Sequence, residues 1–379
     1  MTPNLSSPTR NTNKRDFRMK TGMMIVFMLT LLLVDRLPPL ARRLPVLAHL
    51  DTLIAQLHNG NLSAQDLHAL VAGYYEGLRN DVPLGVIEKD DVRPVHGFLR
   101  YELKPNLKRR YPAGMRITNS FGMANPEYSY EKPPQTRRIA LIGDSVALGP
   151  YGLDYEALLE KQLNQTGLTP GIRQFQILNF GVYGYSVLQM MDVALDKAPK
   201  FHPDVYMVAL TGLETHGFEG WRAHVAKLTL NRTDVKYDFV RTVVAQAGIQ
   251  PADRLAVMVT KLSPWFVPVI REALERIRIN ATSEGASMII VLVPAPIDPD
   301  ITAADHDKLR QAADSIGVPV LDLRDTFRSQ DTSSLQVSQW DIHPNARGHE
   351  LIFEHLYTGL QANPVAWRAV AGSERSARH

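Results

Sequence analysis

Residues 138–149 read RIALIGDSVALG, an apolar run that ends in the turn-forming pair Asp144-Ser145. Four further short apolar runs follow along the chain: FQILNFG (175–181), DVYMVAL (204–210), SMIIVLV (287–293) and VPVLDL (318–323). Each is bounded by Gly, Pro or Asp and is apolar on both sides, which is typical of strands buried on both faces of a parallel sheet. The five runs therefore predict the strands of one such sheet.

Helical patterns lie between these runs, near residues 153–164, 186–198, 264–284, 303–316 and 346–361. In the third of them Phe266, Ile270 and Leu274 recur at the spacing of one helical face. Alternating strands and helices predict an α/β fold built as a three-layer sandwich with right-handed crossovers. Residues 211–262 exceed a normal crossover, and we expect them to form a cap or rim over the site.

Ser145 follows the first predicted strand, and sites in open α/β sheets form at the carboxyl ends of strands. Gly143 and Gly149 let the chain turn sharply on either side, which would expose the serine hydroxyl. Ser145 is therefore a candidate nucleophile. Taken alone, Gly-Asp-Ser is also an ordinary turn, because all three residues are common turn formers.

The segment Asp341-Ile342-His343-Pro344-Asn345 lies between the last predicted strand and the last predicted helix. A histidine in a loop with proline and asparagine is poorly explained as a core residue. The Asp341 carboxylate could hydrogen-bond the His343 imidazole, whose other nitrogen could then take a proton from a serine. The alternative is an ordinary turn in which Asn345 caps the following helix.

Three blocks of the chain, ALIGDSVALG, NFGVYGYS and WDIHPNARGHELI, resemble in the same order the motif blocks of the SGNH/GDSL hydrolase family. The resemblance covers about residues 135–365. It implies a flavodoxin-like fold with a mostly parallel sheet, and hydrolysis or transfer of acyl groups, often acetyl groups on sugars. It also implies that Ser145 is the nucleophile, that His343 is the general base, and that the backbone N–H groups of Ser145 and Gly181 bind the oxyanion.

The chain departs from the family in the third block, normally Gly-x-Asn-Asp, which here reads Thr211-Gly212-Leu213-Glu214-Thr215. The family's asparagine donates to the oxyanion, and losing one such donor typically costs about a hundredfold or more in rate. Either a hydroxyl of Thr211 or Thr215 replaces it, or the oxyanion hole is weaker, or the substrate differs. Because an ionised Glu214 would repel the oxyanion, Glu214→Gln is expected to be neutral or mildly activating.

A second departure concerns the acid of the catalytic group. The family's usual aspartate lies three residues before the histidine, where this chain has Trp340. Asp341 lies two residues before it, and we expect Asp341 to orient the imidazole because a loop can present either spacing. Tyr183 and Trp340 are candidate walls of a sugar or acyl pocket, although aromatic side chains are more often part of a core.

Other chemistries find little support in the sequence. The chain has no cysteine, which excludes disulfides, a thiol nucleophile and thiolate metal ligands. The Gly-x-Ser-x-Gly elbow ends here in Ala147, and His349-Glu350 lacks the second histidine of a zinc-protease motif. The net charge is only +3 and much of the excess lies in the first 43 residues, so we expect no nucleic-acid partner. We also expect no metal or other cofactor.

The N-terminal segment predicts attachment to a membrane. Five Lys and Arg residues precede an uncharged apolar run, TGMMIVFMLTLLLV, at Thr21–Val34. No small-x-small cleavage site follows closely, so we interpret the run as an uncleaved signal anchor with the N-terminus in the cytoplasm. The alternatives are a signal peptide cleaved near Ala41 or Ala48, since the run is short for a span, and a buried core helix.

The sequence thus divides into a basic cytoplasmic tail (1–20), a transmembrane signal anchor (21–36), a stem and helical or irregular lead-in (37–134), an SGNH hydrolase domain (135–365) and a flexible tail (366–379). A helix is expected near 64–79 within the lead-in. The expected protein is an esterase or acyltransferase on the outer side of the cytoplasmic membrane, which is the periplasm if the cell is Gram-negative, and it acts on an acylated small molecule, lipid or polysaccharide. The alternative is a catalytically degraded domain that binds a glycan as an assembly protein.

Overall fold

The computed structural model describes residues 91–111, 114–149, 154–166, 169, 171–215, 220–297, 299–338 and 341–372. The predicted basic tail, signal anchor, stem and helix near 64–79 all precede residue 91 and lie outside the described residues. None of the helices within these ranges has the length and apolar character needed to cross a bilayer.

Residues 91–134 contain two antiparallel strand pairs, whereas the sequence showed no strong period there. The pairs are β1 (Val92–Pro94) with β2 (Tyr101–Leu103), and β3 (Lys108–Tyr111) with β4 (Gly114–Ile117). This lead-in packs on the main domain. Tyr101 donates to the Tyr183 carbonyl at 2.8 Å, and Tyr185 donates to the Tyr101 carbonyl at 2.6 Å.

A five-stranded sheet forms the centre of the described structure, and its neighbouring strands are all parallel. The strands are β5 (Thr136–Ile142), β6 (Gln174–Asn179), β7 (Val205–Leu210), β8 (Ser287–Leu292) and β9 (Val320–Asp322). They lie in the order β6-β5-β7-β8-β9, which is the flavodoxin-like order. The predicted α/β fold with a parallel sheet is confirmed.

Helices cover both faces of this sheet. They are α1 (Ser145–Leu148), α2 (Tyr155–Thr166), α3 (Val187–Asp196), α4 (Gly220–Leu230), α5 (Asp238–Gln246), α6 (Leu255–Leu262), α7 (Phe266–Ser283), α8 (Pro299–Asp314), α9 (Ala346–Ala362) and α10 (Pro364–Ala371). Because successive side chains on a strand point to opposite faces, the sheet contributes side chains to two hydrophobic cores, one on each face. Ala140 and Ile142 pack with α3, α4, α7 and α8, whereas Ile139 and Leu141 pack with α2, α9 and α10.

Two expectations are corrected by the packing of the helices. Within the predicted cap at 211–262, Trp221, Val225 and Leu228 of α4 are fully buried in the same core as α3. Their large apolar side chains make α4 part of the helical layer, so this part of the segment is not a cap. The prediction of a flexible tail from residue 366 is wrong for residues 366–371, because they belong to α10, which buries Ala366 and Val370 in the same core as α9.

Candidate active site

Ser145 lies at the carboxyl end of β5, on a tight turn that requires a glycine before it. α1 begins at Ser145, and Asp144 caps this helix by accepting the Val146 N–H at 2.9 Å. A Cβ on Gly143 would lie 2.4 Å from the Cβ of Ala147, so a larger residue would push the turn away from the strand. Ser145 is 8% exposed. The turn therefore holds the serine at the sheet edge where sites of this fold form.

His343 lies on β11 (Asp341–Pro344), which pairs with β10 (Gln336–Ser338), and its imidazole meets the serine hydroxyl. Ser145 Oγ is 2.7 Å from His343 Nε2, and His343 Nδ1 is 2.5 Å from Asp341 Oδ1. Asp341 Oδ1 also accepts the backbone N–H of His343 at 3.0 Å. Side chains two residues apart on a strand share a face, which is why a spacing of two places the acid beside the imidazole. The structure thus brings the three predicted residues together in one hydrogen-bonded series, the arrangement that a nucleophile, a base and an orienting acid require.

The neighbouring His349 has a structural role. It is 1% exposed, its Nδ1 accepts the Tyr155 N–H at 3.2 Å, and its ring stacks on Tyr155. Burial, with smaller contributions from His343 and Arg116, lowers the pKa of His349 to about 3, which makes it a weak base. Neither it nor any other described residue joins a group of three or more His, Cys, Asp or Glu side chains that could hold a metal ion.

Thr211 supports the turn at residues 143–149, which we call the nucleophile turn because Ser145 is the predicted nucleophile. It follows β7, is buried, and its hydroxyl donates to the Asp144 carboxylate. A hydroxyl has a single proton, so in this geometry Thr211 does not also donate to an oxyanion beside Ser145. The expectation that Thr211 completes the oxyanion hole is corrected accordingly. The side chain of Thr215, the other candidate, lies outside what the structure describes.

Gly181 lies directly against the nucleophile turn. A Cβ on Gly181 would be 2.6 Å from the Leu148 nitrogen and 3.0 Å from the Ala147 carbonyl carbon, so only glycine permits this approach. Asn179 orients the segment, because its Oδ1 accepts the Gly181 N–H at 2.9 Å and its Nδ2 donates to the Ala147 carbonyl at 2.7 Å. We predicted no role for Asn179 from the sequence, although its place two residues before Gly181 in NFG was a visible signal.

The Glu214 carboxylate binds backbone N–H groups in the first turns of two helices, α3 and α4. It is 2% exposed, and its carboxylate accepts the N–H groups of Val187 in α3 and of Trp221 in α4, the latter at 3.0 Å. The first N–H groups of a helix have no partner within it and favour negative charge. Glu214 therefore stabilises the starts of α3 and α4, and the neutrality expected of Glu214→Gln does not follow.

We now expect Glu214→Gln to destabilise the fold and to remove a pH dependence. Burial raises the pKa of Glu214 to about 7, although both N–H donors act to lower it. Folding therefore takes up a proton between about pH 4.5 and 7, and the free energy of unfolding falls as the pH rises through that window, by at most about 3 kcal/mol. Gln cannot titrate, and its amide NH₂ would face a backbone N–H at a cost of about 1–3 kcal/mol.

Thermal unfolding of both proteins across this pH window measures the two effects. The wild type should lose stability more steeply than Glu214→Gln as the pH rises, and the variant should be less stable at the acid end. Equal slopes for the two proteins would contradict the protonation of Glu214 on folding.

Tyr183 is held beside the nucleophile turn by the lead-in. Its hydroxyl accepts from Arg116 Nη2 at 3.2 Å and donates to Asp91 Oδ2 at 3.5 Å, and its carbonyl accepts from Tyr101. A half-buried phenol fixed in this way can form a wall of the site. Trp340, the other predicted pocket residue, lies outside the described residues.

A protein-family model described as the GDSL-like lipase/acylhydrolase family matches residues 141–351, more than half of the chain. No curated protein matches the sequence of this chain. Similar solved structures include the lipase/acylhydrolase from Enterococcus faecalis, with 17% identity and a TM-score of 0.37 over 60% of this chain and 96% of that one. Another is a catalytic mutant of Axe2, an acetylxylan esterase from Geobacillus stearothermophilus, with 13% identity and a TM-score of 0.39 over 59% of this chain and 94% of that one.

Proposed function

The chain belongs to the GDSL-like lipase/acylhydrolase family, and we propose that it is a membrane-tethered serine esterase or acyltransferase acting on acyl groups, such as O-acetyl, of a carbohydrate or lipid. The observation that carries the proposal is the hydrogen-bonded series from Ser145 through His343 to Asp341, with distances of 2.7 and 2.5 Å. Membership of the family supports ester hydrolysis. The proposal goes beyond family membership in three respects, which are acyl transfer, the identity of the acyl-bearing substrate and the membrane tether.

The reaction follows from the order of these side chains. His343 Nε2 takes the Ser145 proton as Oγ attacks the acyl carbon, while Asp341 fixes the ring tautomer and stabilises the imidazolium. The imidazolium then protonates the departing alkoxide, and the acyl group remains on Ser145 as an ester. In the second half-reaction, water or a sugar hydroxyl gives its proton to His343 and attacks the acyl carbon, and the imidazolium returns the proton to Ser145 Oγ as the acyl–Oγ bond breaks.

The backbone N–H groups of Ser145 and Gly181 are the proposed oxyanion donors. The Gly181 N–H faces Asn179 Oδ1 in this structure, so a developing oxyanion must share or displace that acceptor. Because the Thr211 hydroxyl donates to Asp144, it does not replace the third-block asparagine. A hole with one donor fewer should be slower by about a hundredfold than a complete one.

Hydrolysis and transfer are separated by following the acyl group after it leaves the donor. The full-length protein is given p-nitrophenyl acetate with and without an oligosaccharide acceptor, and p-nitrophenol, acetate and acetylated sugar are measured. Release of p-nitrophenol is expected in both cases. Free acetate alone identifies an esterase, and acetylated sugar at the expense of acetate identifies a transferase. No p-nitrophenol release above the uncatalysed rate would contradict the proposal.

A glycan-binding domain without turnover is the second candidate, and the missing third-block asparagine is the observation that favours it. The alignment of a base and an acid on Ser145 argues for the enzyme, because binding alone does not require a proton acceptor on a serine hydroxyl. Saturable oligosaccharide binding without ester cleavage would favour this candidate.

The proposed placement is on the outer side of the cytoplasmic membrane, anchored by Thr21–Val34. It is supported by the heavier basic flank before this run and by the lack of a close cleavage site after it. We expect the mature protein to fractionate with membranes and to keep residues 1–20. External protease should digest the catalytic domain in cells whose inner membrane is intact.

A matched change tests the anchor itself. Phe27→Arg places a charge at the middle of the apolar run at a cost of about 2.5–3.5 kcal/mol, and should reduce membrane integration, whereas Phe27→Leu should not. A soluble product that begins beyond residue 40 would replace the anchor with a cleaved signal peptide. Digestion only after lysis of the inner membrane would overturn the orientation.

A further inference from the structure

We infer that Arg116 is a positioning residue that fixes the nucleophile turn from outside the family-matched region. Arg116 lies on β4, well before residue 141, where the family match begins. Its side chain carries a charge yet the residue is only 2% exposed. The inference rests on the proposed function in one respect, the assignment of Ser145 as nucleophile.

The Arg116 guanidinium donates to main-chain carbonyls at the end of α1. Nη1 donates to the Leu148 carbonyl at 3.3 Å, and Nη2 donates to the Gly149 carbonyl at 2.7 Å. The last carbonyls of a helix have no partner within it and carry partial negative charge. A guanidinium suits both features, because it is always charged and its donors lie in a rigid plane. Nη2 also donates to the Tyr183 hydroxyl, which ties the turn to the wall of the site.

The turn has few hydrogen bonds of its own. α1 has four residues, and its main-chain bonds are Leu148 N to the Asp144 carbonyl at 3.0 Å and Gly149 N to the Ser145 carbonyl at 3.1 Å. Asp144 fixes the N-terminal end by accepting from Val146. At the other end the chain leaves through Gly149 in the left-handed region, with φ of +73°. Arg116 contacts this C-terminal end of α1 with its positively charged guanidinium.

The position of the turn sets the distance between the nucleophile and its base. Ser145 moves with α1, whereas His343 belongs to β11, so a shift of α1 changes the 2.7 Å contact directly. A misplacement of about 1 Å can cost about a hundredfold in rate. Arg116 acts through the turn, so its loss should slow acylation more than it weakens substrate binding.

Arg137 offers a matched control on the same chain. It also donates to two main-chain carbonyls at the end of a helix, from Nε to Val370 at 2.6 Å and from Nη2 to Ala369 at 2.5 Å, both in α10. Arg137 lies at the start of β5, the opposite end of the strand from Ser145. Lysine keeps the charge at either position but lacks the planar fork that reaches two carbonyls.

The experiment compares Arg116→Lys, Arg116→Ala and Arg137→Lys in the full chain. We expect Arg116→Lys to lower kcat for p-nitrophenyl acetate, and the rate of labelling by a fluorophosphonate, about 10–100-fold with little change in KM. Arg116→Ala should be slower still and should be partly rescued by added methylguanidinium. Arg137→Lys should lose thermal stability and keep kcat within about twofold. Wild-type rates in both Arg116 variants, equal losses of kcat in the two lysine variants, or no rescue would overturn the inference.

Amide hydrogen exchange provides a readout that does not depend on activity. The N–H groups of Leu148 and Gly149 should exchange at least about tenfold faster in Arg116→Lys than in Arg137→Lys, because the turn opens more often. Equal exchange would overturn the role of Arg116 even in an inactive protein. Faster exchange in Arg116→Lys, together with a wild type that the fluorophosphonate does not label, would instead overturn the proposed function alone.

Discussion

Ser145→Ala is expected to lower kcat for ester hydrolysis by about four to six orders of magnitude, with little change in KM or thermal stability. Without Oγ the acyl group has no covalent acceptor. His343 Nε2 also loses the hydroxyl that it would deprotonate, which lies 2.7 Å away in the wild type. Any remaining rate would come from water activated by His343 and from the oxyanion donors. Steady-state kinetics with p-nitrophenyl acetate measure the loss.

Ser186→Ala is the matched control for removal of a buried hydroxyl. Ser186 is 1% exposed against 8% for Ser145, and its Oγ donates to Gln189 Oε1 at 3.2 Å just before α3. Its replacement should cost stability and leave kcat within about threefold. Similar losses of kcat in the two variants would show that the Ser145 effect is general destabilisation and would contradict its role as nucleophile.

His343→Ala should lower kcat by about four orders of magnitude or more, because the base transfers a proton in both half-reactions. Asp341→Asn should cost less, about two to three orders of magnitude, because it removes the charge that orients and stabilises the imidazolium but keeps an oxygen near His343 Nδ1 and the His343 N–H. The comparison of kcat at saturating ester separates the two roles.

A second His–Asp pair in the protein provides the control for these variants. His306 Nε2 lies 2.8 Å from Asp322 Oδ1 near the end of β9, outside the series that reaches Ser145. His306→Ala should leave kcat within about threefold. A loss equal to that of His343→Ala would mean that His343 is not the specific base. A silent Asp341→Asn would mean that another carboxylate, or none, orients the imidazole.

The strands and the contact between Ser145 and His343 could be predicted because their signals are local. Five apolar runs without a polar face marked the five strands, and the turn residues around Ser145 placed it at a strand end. The choice of Asp341 over the family's usual spacing also agrees with the geometry, because β11 is extended and residues two apart share a face.

The partners of polar side chains could not be predicted in the same way. The sequence shows Thr211 and Glu214 only as a departure from a motif, whereas their roles depend on which distant groups the fold brings near. Thr211 meets Asp144 from another strand end, and Glu214 meets the first N–H groups of α3 and α4. Both residues proved to support the framework, because buried donors and acceptors must be paired wherever the fold leaves them.

The lead-in escaped prediction for a different physical reason. Its strands have only three or four residues, which is too short for a period-2 pattern to stand out, and β3 (KRRY) is rich in charge. Nothing in the sequence therefore distinguished Arg116 from the other cations of this segment. Only the tertiary contacts show that its guanidinium is buried against the carbonyls of Leu148 and Gly149.

The activation of Ser145 is tested most directly by treating the full-length protein with a fluorophosphonate probe and locating the adduct by mass spectrometry of its peptides. We predict a single adduct on Ser145, formed much more slowly in His343→Ala and absent in Ser145→Ala. No adduct on the wild type, an adduct on a different residue, or robust labelling of Ser145→Ala would contradict the assignment of Ser145 as the nucleophile.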